Sequence, residues 1–100
     1  MSVYLSLRFK ADREKFEELA SRRREQLLEI AERAKGMGAI HHRFVAQDGD
    51  IVVIDEWESP EAFQSFFESS DDVRELMTEL GVTEEPKVSF YEPLSVGEEF

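Results

Sequence analysis

An α+β domain, with four antiparallel strands and helices on one face of the sheet, is what this 100-residue sequence predicts. Three observations lead there. Apolar and polar residues alternate near both ends of the chain, as in half-buried strands. A stripe with helical spacing runs between residues 12 and 35, and Asp48-Gly49 separates two further apolar runs as a tight hairpin turn would.

The first element is the strand from Val3 to Phe9, with Val3, Leu5, Leu7 and Phe9 on one side and Tyr4, Ser6 and Arg8 on the other. Asp12 then caps one long helix that reaches about Lys35 and is closed by Gly36. At about 1.5 Å per residue this helix is roughly 35 Å long, enough to cross a small sheet. Its stripe is Phe16, Leu19, Ala20, Leu27, Ile30, Ala31 and Ala34. Residues 38–47 and 50–58 form the hairpin strands. Ser59 caps a helix over 60–68 with Pro60 in its first turn, where a missing N–H costs nothing. Ser69-Ser70-Asp71-Asp72 starts another over 71–80, ended by Gly81, and residues 86–94 form the last strand. Residues 1–94 thus read as one domain, and 95–100 as an acidic tail that frays or docks on a partner subunit.

This order, strand, helix, strand, strand, helix, strand, is the ferredoxin-like arrangement. The expected helix-covered face carries Val3, Leu5, Leu7, Phe9, Val52, Ile54, Val88 and Phe90. The other face then carries Tyr4, Ser6, Arg8, Val53, Asp55, Trp57, Ser89 and Tyr91, which is too aromatic for a surface that meets only water. A homodimer is therefore expected. Its interface holds Tyr4, Arg8, His41, Asp55, Trp57 and Tyr91, with Arg8 placed to pair with Asp55.

The run Glu56-Trp57-Glu58-Ser59-Pro60-Glu61-Ala62-Phe63 resembles the strand-to-helix junction of the antibiotic biosynthesis monooxygenase-like proteins, in the dimeric α+β barrel superfamily. The resemblance implies that two sheets close into a barrel and that any ligand pocket lies between sheet and helices. Among its implied activities are cofactor-independent oxygenation of polyketide-like aromatics, haem degradation and isomerisation. The haem-degrading pattern asks for an Asn near Leu7, a Trp near Phe66 and a His near Leu76 or Met77. This sequence has none of the three, which disfavours haem chemistry.

Composition narrows the classes further. A net charge of −11 repels a phosphate backbone, and the one basic run, Arg22-Arg23-Arg24, is surrounded by Glu17, Glu18, Glu25 and Glu29; nucleic acid is not an expected partner. With no Cys there is no thiolate nucleophile, zinc–thiolate site or iron–sulfur cluster. The two histidines diverge on a strand, so no metal is expected. No apolar run is long enough for a membrane span and the first residues lack signal-peptide character, so a cytoplasmic location is expected.

Three residues stand out chemically. If Ile40 and Phe44 pack under the helices, His42 lies between them on the pocket side, and His41 faces the barrel with Arg43. His42 is the candidate base, being the side chain that titrates nearest neutral pH. Arg23 falls within the apolar helix stripe, where it must snorkel, pair with an acid or meet an anionic ligand. Glu56, placed with Val52 and Ile54, is the expected acid. Leu7, Ile54, Phe63, Phe66, Phe67 and Phe90 complete the expected pocket wall. These residues support two functions: a monooxygenase-like enzyme or binder of a small aromatic metabolite, needing no cofactor, and a non-catalytic dimeric interaction module. In the second, Arg23 and Glu56 form an internal ion pair and the Phe residues are core.

Overall fold

A computed structural model describes residues 2–100. Eight elements follow one another: β1 (Val3–Lys10), α1 (Arg13–Arg22), α2 (Arg24–Gly36), β2 (Ala39–Gln47), β3 (Asp50–Trp57), α3 (Pro60–Ser69), α4 (Asp71–Glu79) and β4 (Lys87–Tyr91). The strands form one sheet in the order β2-β3-β1-β4, every neighbouring pair antiparallel. This is the predicted α+β, ferredoxin-like topology.

Local signals place most boundaries. The Asp12 carboxylate accepts from the Lys15 N–H at 2.9 Å to start α1, and Ser59 Oγ accepts from the Ala62 N–H at 3.1 Å to start α3. Asp48 and Gly49 have φ of 35° and 84°, the two left-handed conformations that a tight hairpin turn requires. The expected single helix is instead interrupted at Arg23 (φ −110°, ψ 29°), which ends α1 and begins α2. The interruption coincides with the point where Arg22 and Arg23 both reach Glu79 on α4. The closing glycine also differs: Gly36 is helical, and Gly38 takes the positive φ, 117°. A Cβ at Gly38 would stand 3.2 Å from the Ala62 Cβ, so glycine here permits both the turn and the close approach of α3.

The core lies between the helices and β1 and β3. Val3, Leu5, Leu7 and Phe9 face inwards as expected, joined by Ile51, Val53, Trp57, Phe63 and Phe66. The facing of β3 is opposite to the expectation. Leu7 lies across from Val53, Leu5 from Asp55 and Val3 from Trp57, and residues directly opposite in an antiparallel pair share a face. Val53, Asp55 and Trp57 therefore point at the helices, and Val52, Ile54 and Glu56 point away. The run Ile51-Val52-Val53-Ile54 is apolar at every position, so hydrophobicity alone does not set its facing. Trp57, only 1% exposed, packs on Phe63 and Phe66 with ring centroids 5.5 and 5.3 Å away.

Helices α2 and α4 are joined by Arg33, whose guanidinium donates two hydrogen bonds to Asp72, at 2.7 and 3.1 Å, and one to Ser70 Oγ. Those hydrogen bonds hold the Asp72 carboxyl below the usual carboxylate range. Because the folded value is depressed, the stabilisation is complete above the unfolded value, about 3.9, and is lost as pH falls through the folded value. Asp72→Asn is expected to lower Tm at neutral pH and to converge with the parent protein in strong acid. Circular dichroism melts across an acid series measure this, and a constant Tm difference at every pH would contradict it.

Candidate active site

The helices do not close completely over the sheet. Between α1, α2, α4 and the edge strand β2 lies a cavity of about 430 Å³, walled by apolar side chains such as Phe16, Leu27, Ile30, Phe44, Val53 and Met77. It opens along β2, where Ile40 and Phe44 are 47% and 40% exposed. An irregularity in the β2–β3 pairing falls between Ala39 and His41. Beyond it His41 lies opposite Glu56 and His42 opposite Asp55, so the two histidines face opposite sides and His42 is on the cavity side.

His42 is held by a short polar chain. Its Nδ1 lies 2.7 Å from Asp55 Oδ1, and the Trp57 indole N–H donates to Asp55 Oδ2 at 2.9 Å. Asp55 is 6% exposed, and both its oxygens are engaged. An ionised carboxylate only accepts hydrogen bonds, so Nδ1 carries a proton and, in the neutral imidazole, Nε2 is the nitrogen with the lone pair. The imidazole stands edge-on to Phe44, with centroids 4.7 Å apart, which restricts its rotation. An imidazole oriented in this way beside an apolar space can, in its neutral form, take a proton from a bound molecule.

The remaining expected residues divide between the two faces. Leu7, Phe63, Phe66 and Phe67 line the cavity. Phe90 packs edge-on to Phe63 at the β4 side, away from the cavity wall. Ile54 and Glu56 lie on the open face, because the facing of β3 is reversed. Glu56 accepts from Ser2 Oγ at 2.6 Å and lies 2.8 Å from His41 Nδ1. The Ser2 and His41 contacts hold its carboxyl below the usual range, and its charge raises the Tyr4 phenol. Arg23 lines the cavity but pairs with Glu79 at 2.9 Å; Glu56, on the far side of the sheet, cannot reach it. Asp55 and Trp57, expected at a dimer interface, belong to the helix side. Arg8 pairs with Asp50 at 2.8 Å in place of Asp55. Tyr4, Arg8, His41 and Tyr91 do lie on the open face, where the Tyr91 and Ser6 hydroxyls are 3.1 Å apart. That hydrogen bond lowers the Tyr91 phenol.

The partnership of His42 with Asp55 was missed from sequence, although a signal for it was present. A two-residue turn at Asp48-Gly49 pairs Gln47 with Asp50, and counting outward sets His42 against Asp55. No group of three or more His, Asp or Glu side chains among the described residues converges as a metal site, and no described helix is long and apolar enough to cross a membrane.

Fold and cavity together define a ferredoxin-like α+β domain with an oriented histidine in an apolar pocket. The same fold occurs in a monooxygenase from the ActVA-Orf6 gene of Streptomyces coelicolor, solved with nanaomycin D (20% identity, 95% of this chain and 89% of that one, TM-score 0.70). SnoaB, a cofactor-independent oxygenase from Streptomyces nogalater, also has it (17% identity, 98% of each chain, TM-score 0.64). So does a dimeric ferredoxin-like protein from an uncultured marine organism (18% identity, 99% and 90%, TM-score 0.67). At these identities the likeness is one of fold, and it is the fold of antibiotic biosynthesis monooxygenase-like proteins that the Trp57 junction implied. No protein-family model matches the sequence, and no curated protein does.

Proposed function

We propose that this protein binds a small phenolic aromatic molecule in the cavity and oxygenates it without a cofactor, with His42 as the base. The observation that carries this reading is the Trp57–Asp55–His42 chain ending at an apolar space. His42 Nε2 takes the O–H proton of the phenolic (enol) tautomer of an anthrone-like substrate, and charge delocalises onto the ring carbon that is the methylene of the keto form. Dioxygen adds there, and the peroxide loses water to leave a carbonyl, so one oxygen atom enters the product and the other leaves in water. The apolar wall keeps bulk water from quenching the carbanion. The neighbouring folds solved with nanaomycin D and described as a cofactor-independent oxygenase support this chemistry by analogy. An oxygen electrode with a hydroxyanthrone tests it. Uptake of one O₂ per carbonyl formed, lost in His42→Ala, is the expected result, and equal uptake by both proteins would refute the assignment.

We also propose that the open sheet face pairs with a second copy of the chain. Tyr4, Ile54 and Tyr91 there are 42%, 48% and 53% exposed, and pairing would remove this apolar surface from water. The dimeric neighbour supports this arrangement. Ile54→Arg should shift the sedimentation coefficient from dimer to monomer; an unchanged dimer would place the interface elsewhere.

A further inference from the structure

We infer that Arg23 selects ligands carrying an anionic group, a carboxylate above all, at the end of the aromatic body remote from the His42 base. The inference rests on the proposed ligand-binding role of the cavity and narrows its substrate class. Its starting point is that the wall is almost wholly apolar, so the few charged groups lining it decide which polar substituents are accepted. Besides the His42–Asp55 pair, those groups are Arg23, Lys35 and His41, and the His41 ring is held by Glu56 at 2.8 Å on the open face of the sheet.

Arg23 is built to be released. It occupies the junction of α1 and α2, outside regular helical geometry, and its side chain is 46% exposed. Its partner Glu79 lies 2.9 Å from Arg23 Nη2, and Arg22 Nη2 is a second cation 3.5 Å from the same carboxylate. If Arg23 turns into the cavity, Glu79 retains Arg22 and is not left uncompensated. The guanidinium can therefore exchange one carboxylate for another of the same geometry, so little of the ligand's binding energy is lost to an unpaired charge. Lys35 pairs with Glu32 on its own helix at 3.2 Å, is 67% exposed and, among the described residues, has no second cation to replace it there.

Calorimetric titration of the full chain with 6-hydroxy-2-naphthoic acid and its neutral amide, and with the longer hydroxyanthracene-carboxylic acid and amide, tests the inference. The acid is expected to bind about tenfold more tightly than the amide, 1.4 kcal/mol at 25 °C. That preference should vanish in Arg23→Gln and increase in Glu79→Gln, where the competing carboxylate is gone. A loss of folding moves acid and amide together, so the ratio separates recognition from stability. Equal binding of acid and amide, a preference that survives Arg23→Gln, or one that disappears in Lys35→Gln would overturn the role of Arg23 while leaving the pocket intact. Binding of neither acid nor amide to the parent protein would remove the pocket reading and this inference with it.

Discussion

Turnover of a hydroxyanthrone is expected to fall by about 10²–10⁴-fold when His42 becomes alanine, the range general-base catalysis supplies. Affinity for the ligand should change much less, because the apolar wall is untouched. Asp55→Asn is the more demanding variant. Asparagine has the volume of aspartate and can still accept from the Trp57 indole, so the core stays filled. Its amide then donates to His42 Nδ1, which moves the imidazole proton to Nε2 and removes the lone pair that faces the cavity. Asp55→Asn should therefore lose activity on a scale comparable with His42→Ala, since the wrong tautomer is nearly as damaging as no imidazole. Stopped-flow oxygen uptake with binding measured in parallel distinguishes the outcomes. If Asp55→Asn retains full turnover, Asp55 serves packing and not the orientation of His42.

Trp57→Ala is expected to cost about 3–5 kcal/mol, as for other fully buried aromatic side chains. A small domain has roughly 5–15 kcal/mol in total, so this variant approaches the limit of folding. Two aromatic contacts, to Phe63 and Phe66, and the hydrogen bond to Asp55 disappear together. Trp57→Phe separates these effects: it keeps an aromatic ring but takes the donor from a buried carboxylate, at about 1–3 kcal/mol. Urea unfolding at two protein concentrations gives a sharp check. Core packing predicts a destabilisation independent of concentration, whereas a Trp57 seated between subunits would give one that diminishes as concentration rises.

Element order was legible because its signals are local: Asp12 and Ser59 cap helices, Asp48-Gly49 makes the turn, and Val3 to Phe9 alternates. The facing of β3 was not legible from composition, because Ile51 to Ile54 is apolar on both sides. Assigning Val52 and Ile54 to the core carried Asp55, Glu56 and Trp57 to the wrong faces in one step, since side-chain period is two. The site was half legible. His42 lies on the helix side as its apolar neighbours implied, but its true partner follows from hairpin register and not from residue type. The break at Arg23 has no proline or glycine to announce it, and the partner it meets there, Glu79, lies 56 residues away in sequence.

The pairing irregularity between Ala39 and His41 separates two constraints on β2. Residues from His41 to Gln47 take their register from the Asp48-Gly49 turn, on the far side of the irregularity from α2. The faces of both histidines are therefore set by the turn and not by the way α2 leads into the strand. The α2 end of the strand answers instead to Gly38, whose close approach to Ala62 and carbonyl bond from the Glu58 N–H fix where the chain enters the sheet, so β2 is anchored twice, once at each end.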